Sequence, residues 1–496
     1  MENIEYQAGQ FMVVGFNGKK IESPLQLVRL TGDLQQLAKK AGYKYPLLIC
    51  LDQEDGIVRR ITNGVSIQPG AMAVAATGEP ENAKKVYAAT ARELKSLGIN
   101  WDLAPDADVN SNPENPVIGV RSFGDNPFMV GKYVQQAVDG LQDNGVIACL
   151  KHFPGHGNTR IDSHLQLPIV NEKLETLEKQ ELVPFVAGIK QNVKTIMVAH
   201  ILFKCLDNNF PASLSKKVIT NLLRKELAFQ GLIVTDDLEM KAVAEQFGIA
   251  KAAVKSLNSG VDLVMVAHDY RAQIQTIKKI MSAIQKGLIS QENIKSSATR
   301  IANLRKNLQW SNNFEESSFK NLVLADTKIA QKIYAKSVTR CGRSITLLKN
   351  QRIFVFDFRN YRNAGIIDQD KRINYVSEIL GNYNNHIITI SFAEKGKTSF
   401  PQINREDAVI VCTRNLKSKN SLEARLILRI LKKTPNVVVI GLRNPYDWLF
   451  LPSNIEFIAT YEDSKEAVEV AISSLFGYKK LEGHLPVKIK RLIENE

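Results

Sequence analysis

Short apolar runs alternate with longer amphipathic segments over roughly the first 310 residues of the chain. Each run has the length of a buried strand, and each longer segment repeats its apolar residues at helical spacing. Strand-then-helix units with apolar strands predict a parallel sheet covered by helices, and seven or eight such units favour an α/β fold of the (β/α)8 TIM-like barrel type. A doubly wound sheet is the alternative, but no G-x-G-x-x-G motif opens a helix after a strand. The predicted strands are 11–16, 46–51, 146–150, 194–200, 232–237 and 263–268, and the predicted helices are 82–97, 128–141, 172–189, 215–228, 251–259, 270–285 and 291–306.

A second alternation of strands and helices follows a polar stretch at 310–320. We therefore assign 1–310 to the barrel, 311–345 to a linker and connecting helix, and 346–496 to a smaller α/β sandwich domain. Few side chains of catalytic type occur in the second domain, which indicates a structural role or a wall beside the barrel mouth. Its predicted strands are 351–356, 386–390, 408–412, 436–440 and 455–459, and the predicted helices are 325–339, 422–432 and 464–475.

Charge and cysteine content narrow the class of protein. The formal net charge is +14, but the basic residues are scattered, which is typical of a solvated surface and gives little support to nucleic-acid binding. Five dispersed cysteines indicate reduced thiols rather than a disulfide framework. The first residues lack a signal-peptide pattern, and no apolar run approaches membrane-spanning length. We expect a soluble, cytoplasmic monomer without nucleic-acid or membrane partners.

Residues 151–164 concentrate titratable side chains where a predicted strand opens into a loop, and barrel enzymes place their chemistry at such strand ends. The stretch holds three of the seven histidines of the chain. Asp162 and His164 are two residues apart, which places both side chains on one face of an extended segment and makes a general acid/base pair. A polar surface loop and a metal site are the alternatives. The candidate metal ligands by type are His152, His156, Asp162 and His164.

Two adjacent aspartates, Asp236 and Asp237, close another apolar strand. Neighbouring residues of a strand point to opposite faces, so the two carboxylates should have different roles. One is a candidate nucleophile and the other an anchor for the following loop. A helix N-cap pair is the competing interpretation.

The stretch K-H-F-P-G-H-G-N-T-R-I-D-S-H at 151–164 resembles the catalytic-loop motif of bacterial β-N-acetylglucosaminidases of glycoside hydrolase family 3, in their two-domain, peptidoglycan-recycling form. The resemblance covers most of the first domain and includes T-D-D-L-E-M at 235–240. It implies that Asp236 is the nucleophile and that His164 is the acid/base with Asp162 as its partner. By the same resemblance, the sugar-binding residues are Asp52, Arg60, Arg121, Lys151 and His152.

The implied activity is retaining hydrolysis of terminal β-linked N-acetylglucosamine from muropeptides or disaccharides of peptidoglycan, through a glycosyl-aspartate and without a metal or organic cofactor. The loop glycines at 155 and 157 would let the loop close over substrate. Three departures from the family pattern occur, and Asp55 is expected to add negative charge near the barrel mouth. The departures from the family pattern are Asp55, Ile57 and Val120.

Two alternative functions remain open. One is a phosphorylase that uses phosphate in place of water, and the other is a catalytically silent sugar-binding protein.

Overall fold

The computed structural model describes residues 13–15, 21–310, 313–358, 375–392 and 400–489. Its first domain is a TIM-type barrel. Seven parallel strands follow one another around the sheet in the order β1, β2, β5, β6, β8, β10 and β11, with a bridge from Trp101 to Ile147 joining β5 to β6. These strands are β1 Val13–Gly15, β2 Leu48–Leu51, β5 Trp101–Asp102, β6 Cys149–Phe153, β8 Thr195–Val198, β10 Leu232–Asp237 and β11 Leu263–Met265. Two short pairs lie outside this order: β3 Gln53–Asp55 with β4 Val58–Arg59, and β7 Ile169–Val170 with β9 Leu202–Phe203.

Helices cover the barrel strands because their apolar stripes pack against the strands' outward-facing side chains. The polar ends of the helices carry caps; the Asn126 side chain, for example, accepts hydrogen bonds from the amides of Phe128 and Met129. The barrel helices are α1 Pro24–Lys40, α2 Ala71–Ala76, α3 Glu81–Ser96, α4 Pro127–Asp143, α5 Leu174–Lys179, α6 Leu182–Lys190, α7 Lys241–Phe247, α8 Ile249–Asn258, α9 Tyr270–Gln285 and α10 Gln291–Arg305, together with a π-helix Lys217–Glu226 and 3₁₀ turns Gly119–Arg121 and Ala212–Leu214.

The second domain is a three-layer α/β sandwich around a six-stranded sheet in the order β12, β17, β16, β15, β13, β14. All its neighbouring strands are parallel except the edge pair β12 and β17. Both faces are apolar because helices or the barrel cover them. Its strands are β12 Thr339–Gly342, β13 Ile353–Phe358, β14 Ile387–Phe392, β15 Ala408–Thr413, β16 Val437–Gly441 and β17 Glu456–Ala459, and its helices are α11 Glu316–Ser337, α12 Tyr375–Leu380, α13 Leu422–Leu431 and α14 Lys465–Leu475, with a 3₁₀ helix Pro445–Phe450.

The sandwich packs on the barrel through a shared apolar core. Met72, Ala73 and Val120 of the barrel are buried in the same cluster as Tyr446 and Trp448 of the sandwich. A contiguous apolar interface of this kind favours one fixed domain arrangement.

Several bounds of helices and domains predicted from the sequence differ from those in the structure. Helix α11 begins at Glu316, inside the stretch interpreted as a linker, because Glu315 caps the helix by accepting hydrogen bonds from the amides of Ser317 and Ser318. The segment 311–345 also supplies strand β12, so the sandwich begins before residue 346. The predicted helix 172–189 is two helices, α5 and α6, and only Val13–Gly15 of the predicted first strand lies within the described residues.

Candidate active site

The predicted site residues gather where the barrel strands end. Asp52 follows β2, Lys151 and His152 lie in β6, and Asp236 lies in β10. Parallel strands bring their carboxyl ends to one rim of a barrel, so residues far apart in sequence meet there. Arg121 closes the 3₁₀ turn Gly119–Arg121 on the loop that follows β5.

Buried ion pairs tie the sugar-binding candidates together. The ammonium of Lys151 donates to Asp52 Oδ1 and contacts Glu54 Oε1, both at 2.7 Å. The guanidinium of Arg121 forms two parallel bonds of 2.8 Å to the carboxylate of Glu54, which is a geometry that Lys cannot reproduce. Arg60 Nη2 reaches Asp52 Oδ2 at 3.4 Å. We call Asp52, Glu54, Arg121 and Lys151 the ionic cluster.

Opposite charges fix the protonation states in the ionic cluster. Burial alone raises the pKa of Glu54, but the adjacent Arg121 and Lys151 outweigh burial and hold this pKa well below its ordinary value. Burial lowers the pKa of Lys151, yet the carboxylates of Asp52 and Glu54 raise it on balance. The side chains of Arg121 and Lys151 are each only 1% exposed, so nearly all their charge compensation comes from protein groups.

His152 is oriented by Asp108, a residue that the sequence analysis did not single out. Its Nδ1 lies 2.7 Å from Asp108 Oδ2, and its Nε2 lies 3.4 Å from Arg121 Nη2. The other oxygen of Asp108 accepts the backbone amides of His152 and His156. A carboxylate on Nδ1 sets the tautomer and ring angle of a histidine, so Asp108 positions His152.

The loop after β6 is tightly packed. A Cβ on Gly157 would lie 1.6 Å from the carbonyl oxygen of Val109, so only glycine fits at that position. His156 is buried between the hydroxyls of Thr159 and Ser163, at 2.7 and 3.0 Å, and burial lowers its pKa to about 4. Gly157 therefore serves close packing here, in contrast to the loop-closing role expected from the sequence.

Asp162 and His164 form the predicted pair. His164 Nδ1 and its backbone amide lie 2.7 and 2.8 Å from the same oxygen of Asp162. The side chain of His164 is 28% exposed, which leaves its other ring nitrogen open to the rim. Burial lowers the pKa of His164, but the hydrogen bond to Asp162 and the charge of Asp236 outweigh it and raise this pKa above its ordinary value.

The two aspartates of β10 have different surroundings. Asp236 is partly exposed, and the only hydrogen bond described for its side chain comes from the Asp237 amide, at 2.8 Å. Asp237 instead accepts the amides of Glu239 and Ala267 and contacts His268, so it holds the loops after β10 and β11. The structure thus separates a rim carboxylate from a loop anchor, as the alternation of strand side chains predicts.

Histidines surround Asp236. Burial alone raises its pKa, but the neighbouring imidazoles outweigh burial and lower it, so the carboxylate is ionised at neutral pH. His200 is completely buried, with Nδ1 at 2.7 Å from Ser213 Oγ and Nε2 at 2.9 Å from the Asp237 carbonyl oxygen. It therefore fixes the backbone next to Asp236. The three histidines that lower the pKa of Asp236 are His152, His200 and His164.

Of the four residues weighed as metal ligands, Asp162 and His164 bind each other, whereas His152 and His156 bind other protein groups. Among the described residues, Asp106, Asp108 and His152 are the one group whose ligand atoms lie within 4.8 Å of one another. Asp108 and His152 are already hydrogen-bonded to each other, and Arg121 lies 3.8 Å from Asp106. These cationic and hydrogen-bonding neighbours oppose a divalent ion, so the group does not fit a metal.

Asp55 does not add charge at the mouth, contrary to the sequence-based expectation. Its side chain is buried, and its Oδ2 accepts a 2.7 Å hydrogen bond from the hydroxyl of Thr90. Burial raises its pKa to about 7. The residue has a φ of 66°, which explains why glycine suits this position.

Sequence reasoning missed Glu54 and Asp108 as site residues. Glu54 lies two residues after Asp52 in D-Q-E, and Asp108 lies in D-V-N on the loop after β5. Carboxylates near the carboxyl ends of barrel strands are candidates for site residues by position, but the partners of these two come from elsewhere in the chain.

Within the part of the chain that the structure describes, no helix has the length and hydropathy that crossing a membrane requires.

The fold and the rim define a two-domain barrel protein with a buried ionic cluster and partly exposed titratable side chains where its strands end. The chain belongs to glycoside hydrolase family 3: the glycosyl hydrolase family 3 N-terminal domain matches residues 4–304. Beta-hexosaminidase A of Pseudoalteromonas piscicida is 38% identical over 315 residues, which cover 59% of this chain and 53% of that protein. Beta-hexosaminidase of Nitrosomonas eutropha is 33% identical over 260 residues, which cover 51% of this chain and 72% of that protein.

Solved structures extend the likeness to both domains. A family 3 β-N-acetylglucosaminidase from Paenibacillus sp. FPU-7 has a TM-score of 0.85 and 30% identity, covering 99% of this chain and 100% of that one. A fungal multi-domain family 3 β-N-acetylglucosaminidase has a TM-score of 0.92 and 31% identity, covering 99% of this chain and 61% of that one. This chain therefore spans about half to three fifths of the longer relatives, at 53% and 61%.

Proposed function

We propose that this protein is a retaining β-N-acetylhexosaminidase that removes terminal β-linked N-acetylglucosamine. The observation that carries the proposal is the pairing at one rim of an ionised carboxylate, Asp236, with a histidine of raised pKa, His164. Two groups whose environments push their pKa values in opposite directions are suited to nucleophile and acid roles at the same pH. The relatives named above as hexosaminidases and β-N-acetylglucosaminidases support the sugar class.

The chemistry follows from this pair. Asp236 attacks the anomeric carbon while His164 donates its proton to the departing glycosidic oxygen, which gives a glycosyl-aspartate and the free aglycone. His164, now neutral, takes a proton from water, and the resulting hydroxide attacks the same carbon and releases Asp236 as a carboxylate. Asp162 supports the imidazolium at each stage through its bond to Nδ1.

The ionic cluster is proposed to hold the sugar ring. Asp52, Lys151 and Arg121 offer acceptors and donors to ring hydroxyls, and Arg60 and His152 lie at its edges. Because these charges are already positioned by one another, little reorganisation accompanies binding. Orientation of the ring against Asp236 is the expected result.

We further propose peptidoglycan fragments as substrate and a reducing compartment as the site of action. The net charge of +14 favours acidic polymers, and the five cysteines are dispersed along the chain, as is typical of proteins in reducing compartments. Recycling of muropeptides in the cytoplasm fits both features.

The test is release of chromophore from an aryl β-N-acetylglucosaminide by the wild type, His164→Ala and Asp236→Ala, with and without phosphate. Turnover that collapses in both variants is the expected result. Stimulation by phosphate would reassign the protein as a phosphorylase. No turnover of this substrate or the matching glucoside by folded wild type would overturn the enzyme proposal in favour of sugar binding.

A further inference from the structure

Two barrel segments carry sugar-binding candidates to the site and also contact the sandwich domain. One runs from Asn110 to Arg121, and the other is the β3–β4 hairpin that ends at Arg60. Two departures from the family pattern, Ile57 and Val120, lie on these segments, and both pack into the apolar core shared with the sandwich. The departures are thus explained by contacts at the domain interface.

The first segment is held by the 3₁₀ helix Pro445–Phe450 of the sandwich and its flanking loop. Tyr446 Oη accepts a 2.8 Å hydrogen bond from Asn110 Nδ2, while Asn110 Oδ1 accepts the Gly119 amide at 3.1 Å. A Cβ on Gly119 would lie 2.4 Å from the Asn444 side chain, so the sandwich approaches the backbone here directly. The turn that begins at Gly119 ends at Arg121, which places the guanidinium on Glu54.

The second strand of the β3–β4 hairpin contacts the ionic cluster on one face and the sandwich on the other. Arg59 and Arg60 are adjacent, so their side chains point to opposite faces. Arg60 reaches Asp52 in the ionic cluster, whereas Arg59 reaches Glu462 of the sandwich at 3.5 Å. Glu462 is buried and also accepts the amide of Gly70 at 3.0 Å.

We propose that Tyr446 is a positioning residue for sugar binding, through which the sandwich domain sets the conformation of the 110–121 segment and hence of Arg121. Glu462 does the same for the hairpin and Arg60. The inference rests on the proposed function for the identity of the sugar. On this view the sandwich acts on substrate affinity through the barrel's own residues rather than by touching the reacting bond.

The test compares Tyr446→Phe with Tyr383→Phe. Tyr383 Oη makes a matched 2.9 Å hydrogen bond to Ser473, in a sandwich core whose members all come from residue 330 onward. Removing the Tyr446 hydroxyl leaves the buried Asn110 amide without that acceptor, and we expect KM for the aryl N-acetylglucosaminide to rise about tenfold while kcat stays within about twofold. Inhibition by free N-acetylglucosamine should weaken by the same factor. Tyr383→Phe should leave KM unchanged.

The outcomes separate the two proposals. An active wild type with equal KM in both variants, or with an equal rise in both, would overturn the positioning role and leave the proposed function standing. A wild type without turnover overturns the proposed function, and the comparison then moves to calorimetric binding of N-acetylglucosamine. Equal affinities there, or no binding by wild type, would overturn the positioning role as well.

Discussion

The ionic cluster and the proposed catalytic pair, His164 and Asp236, lie at one rim of the barrel but have opposite surroundings. In the cluster, Arg121 and Lys151 are 1% exposed and are bound on several sides by carboxylates. In the pair, His164 is 28% exposed and has a single charged partner within bonding distance, while Asp236 accepts one described hydrogen bond, from its neighbour's amide. The difference fits the two tasks proposed for these residues. Charges that recognise substrate would be held in place by one another, and groups that form bonds and transfer protons would keep atoms available for substrate.

The comparison predicts that substitutions in the pair remove activity without removing stability. Asp236→Asn should lower kcat/KM on the order of 10⁴-fold or more, because the amide cannot form the glycosyl-enzyme. Its unfolding midpoint in urea should fall only slightly, because the lost charge is favoured by the neighbouring imidazoles but accepts a single described hydrogen bond. Asp237→Ala is the control, because loss of the acceptor for the Glu239 and Ala267 amides should lower the midpoint more. A strongly destabilised Asp236→Asn protein would contradict the contrast.

Substitutions in the ionic cluster are expected to lower stability. Glu54→Gln leaves Arg121 and Lys151 buried without a full counter-charge and should lower the free energy of unfolding by about 3–5 kcal/mol. Denaturant titration measures this value. The control is Glu175→Gln, which breaks an exposed pair with Lys179 and should change the stability little. Equal small effects at both positions would show that the cluster is not held by its charges.

The pH dependence of activity sharpens the description of the pair. His164 acts as the acid only when protonated, so kcat/KM should fall as pH rises through its raised pKa. Asp162→Asn keeps an acceptor for Nδ1 but removes the negative charge that helps to raise this pKa. The alkaline limb of the pH profile should therefore move to lower pH, with a loss on the order of tenfold at neutral pH. An unmoved alkaline limb would assign that limb to another group.

The last prediction concerns the pH dependence of stability and Asp55, a buried carboxyl outside both regions. Its pKa rises from 3.8 in the unfolded chain to about 7 in the folded protein, so the folded state holds the proton more tightly. Stability from this group is therefore full below about pH 4 and is lost as pH rises to about 7, by at most about 1.4 kcal/mol for each pH unit. Asp55→Asn keeps the bond to Thr90 and tolerates the positive φ.

Urea unfolding at several pH values between 4 and 8 should show a shallower decline for Asp55→Asn than for wild type. The variant should gain most over wild type at the alkaline end. Parallel curves for the two proteins would mean that Asp55 is ionised in the folded state throughout the range.

The fold was predictable because periodicity reports which faces are buried. Helix 270–285 was predicted at the bounds that the structure gives, since the Asp269 cap and the apolar stripe agree. The start of the connecting helix was predicted too late, because α11 begins at Glu316 among polar residues, where no apolar stripe has yet begun. The edge strand β12 is short and pairs with β17, which lies far away in the chain. Its strand conformation therefore depends on tertiary contacts that the local sequence does not indicate.

The candidate site was predictable where a motif carries its own geometry. Asp162 and His164 are close in sequence and do form a hydrogen bond, but they meet in a turn, where Asp162 Oδ1 also accepts the His164 amide, and not in the extended segment that was expected. Glu54 and Asp108 act on partners from other strands, and such contacts have no signature along the chain. Asp55 shows the same limit, because the sequence reveals a carboxyl group but neither its burial nor the Thr90 hydroxyl that donates a hydrogen bond to it.

The segment that ends the described chain returns to the barrel. The amide of His484 donates to the Ala76 carbonyl oxygen, and the amide of Lys488 donates to Asp125 across a sequence separation of 363 residues. Contacts of such separation form late, because a long loop must close before they stabilise anything. During synthesis the barrel therefore emerges with Met72, Ala73 and Val120 still uncovered. On the proposed positioning role of Tyr446, the sugar-binding site is completed only when the second domain has folded onto the barrel, so affinity for sugar would report that this step has finished.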